Sequence, residues 1–288
     1  GSCWAVAATT VLESHVALTT GQLFTLAPQE LVSCVTNPEH CGGDGGCGGA
    51  TYELAFDYVM EHGMVPETEL PYHSGKTGKD DTCQLNGTSS NINNNLRGAT
   101  FLNENNKYID GAVATIQGYI NLPTNNYTIL MNAVAKFGPI GVTVAASRWS
   151  FYGGGIFDVP NHNTSSTTDV NHAVVLEGYG VDQETQEQFW LVRNSWGAMW
   201  GEGGYIRLKR VDPSTMADPT QDCGIDTTPS DGDGCTKDKD GNDIVPPPVK
   251  VCGTSAILYD TFVPFGARLL PSSSGDGISS SITTAAQL

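Results

Sequence analysis

The sequence predicts an α+β protein whose helices and strands fall into two successive halves. Before residue 130 the apolar residues recur mainly at helical spacing, and from residue 140 onward they form short runs typical of strands. Runs of helices followed by runs of strands are typical of α+β folds rather than of alternating α/β folds. The 288 residues, 39% of them hydrophobic and 16% charged, can bury one large domain or two small ones.

Three helices are predicted in the N-terminal half. The first covers residues 2–18, which contain no Gly or Pro and place Cys3 in the first turn. The second starts near Pro28, because proline is favoured at the first position of a helix. The third covers residues 52–61 and ends at Gly63.

The C-terminal half is predicted to be mostly strands. One helix, over residues 129–137, ends where Gly138 and Pro139 follow it. Apolar runs that predict strands then cover residues 140–144, 173–176, 189–192, 205–208 and 256–262.

Polar segments interrupt and follow these elements. Residues 73–107 predict an extended surface loop, and an insertion lies within residues 84–126. A second polar insertion lies at about residues 229–251, and residues 271–288 predict a poorly ordered tail because they are Ser, Thr, Gly and Ala with almost no charge. The predicted division is a domain at 1–125, a domain at 126–268 and a low-complexity tail at 269–288.

The net charge of −17, from 14 basic and 31 acidic residues, argues against nucleic acid and anionic membranes as partners. Two interpretations of this charge stay open. One is an acidic surface that is simply well solvated; the other is residence in an acidic compartment near the sequence pI of about 4.5. The sequence has no run of 18 apolar residues and no visible signal peptide, so no membrane span is predicted.

Eight cysteines and three glycosylation sequons favour passage through the secretory route. The sequons begin at Asn86, Asn126 and Asn163. Zinc binding is a competing use of the cysteines, but there is no Cys-x-x-Cys pair and no histidine at ligand spacing from the cysteines. The expectation is therefore no metal site and no cofactor.

Three residues form a candidate catalytic set. Cys3 begins a helix whose positive end can lower a thiol pKa, although a structural cysteine is the usual alternative in a secreted chain. His172 precedes an apolar strand and could deprotonate a thiol, or could be an ordinary rim histidine. Asn194 could accept the far N–H of the imidazole under the cover of Trp196, although Asn-Ser-Trp-Gly alone also fits a β-turn.

Six motifs follow one another along the chain: Gly1-Ser2-Cys3-Trp4-Ala5, Gln29-Glu30-Leu31-Val32-Ser33-Cys34, Gly46-Cys47-Gly48-Gly49, Asn171-His172-Ala173-Val174, Phe189-Trp190-Leu191-Val192-Arg193-Asn194-Ser195-Trp196-Gly197 and Trp200-Gly201-Glu202-Gly203-Gly204-Tyr205. Together they resemble the papain/cathepsin family of cysteine proteases, in the family's order over roughly residues 1–224. The similarity is to the cathepsin L-like endopeptidases, without an insert like the His-containing occluding loop of the cathepsin B branch.

The resemblance implies a two-domain papain-like fold, with a helical left domain, a β-barrel right domain and the active-site cleft between them. It implies a cysteine endopeptidase that works through a Cys3–His172 thiolate–imidazolium pair and an acyl-enzyme. Asn194 would orient His172, with Trp196 and Ser195 in support. The residues implied to contact substrate, through backbone pairing or around the pocket for the second residue before the cut, are Gly48, Gly49, Ala50, Thr51, Tyr52, Ala145, Val170 and Ala173.

Two departures from the family pattern concern the oxyanion donor and the spacing of the catalytic residues. The glutamine that supplies the family's second oxyanion donor would lie ahead of Gly1, and its loss would slow hydrolysis by about 10²–10³-fold. His172 lies about 170 residues after Cys3, against about 130–150 in the family signature. The base of the specificity pocket could come from near Thr228, which would favour apolar residues, or from near Asp260, which would favour Arg or Lys.

The resemblance also implies part of the disulfide pattern. Cys34 with Cys83 resembles a family bridge, whereas the usual partners of Cys47 and Cys223 are missing, so Cys47 is expected to be unpaired. The pairing stays open for Cys41, Cys223, Cys235 and Cys252.

Peptide-bond hydrolysis is the leading hypothesis, acting on protein or peptide substrates in a lysosomal, vacuolar or extracellular compartment. Further expected partners are cystatin-like inhibitors and the chain's own pro-segment, and we expect a monomer. Two alternatives stay open: a non-enzymatic homologue whose cleft binds a peptide, and a peptide ligase that uses an amine in place of water. The complete Cys3, His172 and Asn194 set argues against the first.

Overall fold

The computed structural model describes residues 1–85, 108–159 and 164–271. Its helices are α1 (Cys3–Thr20), α2 (Pro28–Cys34), α3 (Tyr52–His62), α4 (Ser74–Thr77), α5 (Tyr127–Phe137) and α6 (Ser165–Thr168). Its strands are β1 (Ala114–Thr115), β2 (Gly118–Asn121), β3 (Ile140–Val144), β4 (Ile156–Phe157), β5 (His172–Val181), β6 (Gln188–Arg193), β7 (Tyr205–Lys209), β8 (Cys223–Asp226), β9 (Val249–Cys252), β10 (Asp260–Phe265) and β11 (Arg268–Leu269).

Helix α1 is the central element of the N-terminal half. Trp4, Val11 and Leu12 are fully buried on it, and the helix packs against α2, α3 and β5. It ends at Gly21, whose φ of 73° is the left-handed conformation that glycine adopts without strain. The burial of α1 against both helices and sheet holds its first turn, and therefore Cys3, at the junction of the two halves.

The C-terminal half is built on a seven-stranded sheet with the order β2-β10-β3-β5-β6-β7-β4. All neighbouring strands are antiparallel except β4 and β7, which run parallel. Among the described residues, no ladder joins the outer strands β2 and β4, so the β-barrel stays a prediction. β5 lies at the centre of the sheet. Its first residue, His172, lies between β3 and the N-terminal end of α1, where Cys3 is found.

Two main hydrophobic clusters fill the interior. One surrounds α1, α2 and α3, and the other lies around β3, β5, β6 and β7. Because both clusters take residues from the central strands, they meet along β5. The α+β class is therefore confirmed, while the boundary at residue 125 stays a prediction.

Most predicted elements are present, and the main error concerns the strand that was predicted over residues 256–262. Residues 256–259 are not a strand: Ser255 and Ala256 have positive φ values of 57° and 61°, and the strand starts at Asp260. The apolar run Ala256–Leu258 predicted a strand because these side chains are buried, but they are buried in a tight turn. β5 is also longer than predicted, because its far end continues into half-exposed residues with no apolar run.

Three disulfides join the described cysteines. Cys34 bonds Cys83, as the resemblance implied. The two remaining bridges are Cys41–Cys235 and Cys223–Cys252. The free cysteines are Cys3 and Cys47, as expected.

Some predictions lie outside the described residues: the loop at 86–107, the tail beyond Pro271, and the sequon residues Asn86 and Asn163. In the described ranges, no helix combines the length and the apolarity needed to cross a membrane.

Candidate active site

Cys3 is half-buried in the first turn of α1. The first amides of a helix have no partner within the helix, so they can face a negative charge there. Trp4 anchors this turn, because its indole N–H donates a hydrogen bond of 3.0 Å to the Gly46 carbonyl and its ring is fully buried. The sequence therefore places a thiol at a fixed helix start that faces the sheet.

His172 is buried at the start of β5, and its ring is held by Asn194, which directly follows β6. Nε2 of His172 lies 2.8 Å from Oδ1 of Asn194, which also accepts the Ser195 backbone N–H at 2.8 Å. An amide oxygen accepts, so Nε2 carries the proton and Nδ1 is left for the Cys3 thiol.

Tryptophan rings cover this hydrogen bond. The Trp196 ring centroid lies 5.1 Å from that of His172, and Trp200 packs edge-on against Trp196. Trp149 was missed by the sequence analysis: it is fully buried and meets His172 edge-on at 6.1 Å. No motif pointed to Trp149, because its contact with His172 arises only when the loop after β3 folds against β5.

The environment of Cys3 favours the thiolate. Burial raises the pKa of the thiol, but the hydrogen bond and the positive charge of His172 lower it, as does a hydrogen bond from the Ala173 backbone N–H. The net result is a pKa of about 7, below the usual value for cysteine. Such a thiol is substantially ionised near neutral pH.

A pocket of about 100 Å³ opens beside Cys3 and His172. Six of the eight residues predicted to contact substrate line it: Gly48, Gly49, Ala50, Thr51, Tyr52 and Ala173. Six further residues of the lining were not predicted to contact substrate: Gly1, Gly42, Thr143, Asn171, Asp231 and Gly232. Asp231 and Gly232 belong to the polar insertion at about 229–251, for which the sequence analysis offered no role.

The other two predicted contact residues, Ala145 and Val170, do not reach this pocket. They lie in a separate buried cluster with Val251 and Ala256. A methyl group placed on Gly232 would lie 2.5 Å from the Val170 carbonyl oxygen, so the insertion covers Val170 closely.

Neither candidate for the base of the specificity pocket lines the pocket directly. Thr228 is exposed and donates to the carboxylate of Asp169 at 2.7 Å. Asp260 is buried one layer below, where it accepts a 2.6 Å hydrogen bond from Thr143, which does line the pocket. Burial, together with the charges of Glu53 and Asp233, raises the pKa of Asp260 well above its usual value, which disfavours a negative charge at this position.

Of the predicted glycosylation sites, Asn126 is described and exposed. It is the N-cap of α5, with Oδ1 accepting the Ile129 N–H at 3.0 Å. This contact uses the oxygen of the side-chain amide, and glycosylation at Asn126 stays a prediction.

Among the described residues, one group of side chains is close enough together for metal ligation: Glu39, Cys41 and Cys235. Cys41 and Cys235 are bonded to each other, so neither offers a thiolate. This group therefore does not have the chemistry of a zinc site.

Comparisons with known proteins agree with this geometry. The family model described as papain family cysteine protease matches residues 1–232. The cathepsin L-like proteinase of Phaedon cochleariae is 33% identical over 226 residues, covering 78% of this chain and 57% of that protein. Procathepsin L of Rattus norvegicus is 34% identical over 235 residues, covering 80% and 58%. The chain thus spans a little over half the length of these relatives.

Solved structures show the same fold. The bromelain protease of Ananas comosus, in complex with the E64 inhibitor, superimposes with a TM-score of 0.61 at 28% identity, covering 92% of this chain and 89% of that chain. Procathepsin L 3 of Tenebrio molitor gives 0.60 at 26% identity, covering 92% and 63%. These likenesses fit the α+β, two-domain papain fold. The chain belongs to the papain family of cysteine proteases and is similar to its cathepsin L-like members.

Proposed function

We propose that this protein hydrolyses peptide bonds, with Cys3 as nucleophile, His172 as its base and Asn194 as the residue that orients the base. The observation that carries the proposal is that Cys3 and His172 line one pocket, while Nε2 of His172 lies 2.8 Å from Oδ1 of Asn194. This arrangement of nucleophile, base and orienting group is the one that nucleophilic catalysis requires.

The reaction follows from these positions. The Cys3 thiolate attacks the scissile carbonyl carbon, and the tetrahedral oxyanion faces the unpaired amides at the start of α1. The imidazolium of His172 gives its proton to the leaving amine, and an acyl-enzyme remains on Sγ. Water, deprotonated by His172, then attacks the thioester and releases the acid, and the thiolate is restored.

The substrate is proposed to be a peptide whose backbone pairs with the loop at residues 48–50, beside Cys3. Gly49 has a φ of 106°, a conformation that glycine adopts readily. The finer expectation of cleavage at internal bonds requires a cleft that is open at both ends, and the insertion that contacts Val170 bears directly on it.

We also propose where the protein acts and which proteins bind it. A lysosomal, vacuolar or extracellular compartment fits three disulfides and the net charge of −17. Cystatin-like inhibitors and the chain's own pro-segment are the proposed protein partners, acting on a monomer.

The test is covalent labelling with an epoxide probe at about pH 5.5, read by intact-protein and peptide mass spectrometry. A thiolate opens the epoxide ring to form a thioether, so one adduct on Cys3, lost in His172→Ala, is expected. Cys47 provides an internal control, because burial and Asp80 raise its pKa and it should stay unlabelled. An accessible, reduced Cys3 without adduct would contradict the proposal and favour a peptide-binding homologue.

A further inference from the structure

The chain from Pro229 to Lys237, here named the strap, crosses one end of the cleft. It starts on the side of the sheet, where Gly232 lies against the Val170 carbonyl. It ends on the side of the helices. There the Gly42 N–H donates to the Gly234 carbonyl at 3.1 Å, and the Lys237 backbone N–H donates to the Glu39 carbonyl at 2.9 Å. The strap therefore spans the cleft from wall to wall.

The strap is tied down at its far end. Cys235 bonds Cys41, and the two residues also pair as an antiparallel bridge between strap and loop. Near its middle, the Tyr259 hydroxyl donates to the Asp233 carboxylate at 3.0 Å. A covalent link between residues 194 positions apart limits how far this segment can move away from the loop that carries Cys41.

The strap also forms the end wall of the pocket that contains Cys3. Asp231 and Gly232 line the same pocket of about 100 Å³ as Cys3 and His172. A methyl group on Gly42 would lie 2.4 Å from the Gly232 carbonyl oxygen and 3.2 Å from the Thr51 side chain, so strap and loop are in contact there. This closure lies over Thr51 and Val170, the residues placed around the pocket for the second residue before the cut.

We infer that the strap closes the cleft on the side of the residues that precede the scissile bond. The site then accepts a free N-terminus with at most two residues ahead of the cut, and releases short N-terminal units rather than cutting internal bonds. An extended peptide advances about 3.3–3.6 Å per residue, so a longer leading segment would run into Gly232 and Gly42. This inference rests on the proposed function and specifies its substrate class.

A carboxylate at the closed end suits such a substrate. Asp231 is exposed at the pocket wall, and a peptide α-amino group, with a pKa of about 7.7–8.0, is positively charged at the acidic to neutral pH of the reaction. A charge-assisted hydrogen bond between the two would favour a free over an acetylated N-terminus.

The test uses one twelve-residue peptide in two forms, free and N-acetylated, with products followed over time by mass spectrometry. We expect the free peptide to lose one- or two-residue units in sequence from the first time point, and the acetylated peptide to react at least about tenfold more slowly. Internal cleavage of both forms at similar rates would overturn the inference while supporting the proposed function. No cleavage of either form, with no epoxide adduct on Cys3, would overturn the proposed function itself.

Releasing the strap should remove the preference. In the double variant Cys41→Ser with Cys235→Ser, we expect cleavage of the acetylated peptide to rise about tenfold relative to the free peptide. The matched control is Cys34→Ser with Cys83→Ser, which removes a disulfide away from the pocket and should leave the ratio of the two rates as in the parent. An unchanged ratio in the strap variant contradicts the inference.

A single substitution gives an independent measurement should the strap variant fold poorly. Asp231→Asn removes the charge but keeps the size and position of the side chain. We expect KM for the free peptide to rise about tenfold, so that the preference for a free N-terminus falls. A preference as strong as that of the parent would contradict the recognition of the amino group by Asp231.

Discussion

The two unpaired thiols show how neighbouring side chains decide the chemistry of a residue. Cys3 has His172 as a hydrogen-bond and charge partner, which brings its pKa down to about 7 despite burial. Cys47 is subject to burial and to the carboxylate of Asp80, and both raise its pKa. Residue type is the same at both positions, so the difference in reactivity comes from the partner that each thiol faces.

We expect the ultraviolet absorbance of the Cys3 thiolate to appear with a midpoint near pH 7 in a Cys47→Ser background. In His172→Ala the midpoint should move above the usual value for cysteine, because burial, which raises the pKa, is then opposed only by weaker contacts. His73→Ala, a change at a half-buried histidine that pairs with Asp81, is the control and should leave the midpoint in place. The same midpoint in all variants would show that His172 does not interact with Cys3.

The start of helix α5 is set by a capping residue as well as by the periodicity of its apolar residues. The apolar pattern predicted a start at residue 129, but the helix starts at Tyr127 because Asn126 caps it. The Asn126 side chain satisfies the Ile129 N–H, one of the amides that a helix start leaves without a partner. Asn126 is thus both a predicted glycosylation site and a structural cap, and these two roles can be separated by substitution.

Asn126→Ala should lower the free energy of unfolding by about 1 kcal/mol, because the cap is lost. Thr128→Ala removes the sequon but keeps the cap, so unglycosylated protein carrying it should unfold at the same denaturant concentration as the unglycosylated parent. When they are made in a glycosylating host, the Asn126→Ala and Thr128→Ala variants should both lack the same glycan mass relative to the parent. Equal destabilisation by the two substitutions would contradict the capping role.

At the scale of the whole molecule, carboxyl pKa values are shifted in both directions. Hydrogen bonds from the Thr185 backbone and from Arg207 lower the pKa of Asp182 to about 2. Buried carboxyls have raised pKa values: burial brings Glu30 to about 8 and Asp222 to about 6. Between pH 4.5 and 8 these buried carboxyls differ in protonation between the folded and unfolded states.

The protein should therefore be more stable at pH 5 than at pH 7.5. Over this window folded Glu30 keeps a proton that the unfolded chain has lost, so the folded state binds more protons and stability falls as pH rises. His15 and Cys3, whose pKa values are lowered, work in the opposite direction, but they are two groups against several buried carboxyls. Urea denaturation at the two pH values measures the difference.

Glu30→Gln identifies the main contributor. It should reduce the loss of stability between pH 5 and pH 7.5 by an amount of the order of 1–3 kcal/mol, since each pKa unit corresponds to about 1.4 kcal/mol. The hydrogen bond from the Val65 N–H, 2.8 Å in the parent, can be kept by the glutamine oxygen. An identical pH dependence in parent and variant would exclude Glu30 as its source.

The sequence predicted the local elements well, because helices and strands leave their own period in the positions of apolar residues. β3 has the predicted bounds, and α1 and α3 differ from prediction by two residues or fewer at each end. It failed at Ser255 and Ala256, where buried apolar residues form a turn, since burial alone does not distinguish a strand from a packed turn. It also missed the short strands β8 and β9, which pair across the polar insertion.

By itself, the sequence determined the α+β class, the family, and which three residues form the candidate catalytic set, because each of these depends on short motifs or on local periodicity. Only the tertiary structure decided that Trp149 contacts His172, that Cys41 bonds Cys235, and that Gly232 lies against the Val170 carbonyl. These contacts join segments far apart in the chain. Neither partner carries a local signal of the other, so the pairing is decided when helices, sheet and insertion pack together.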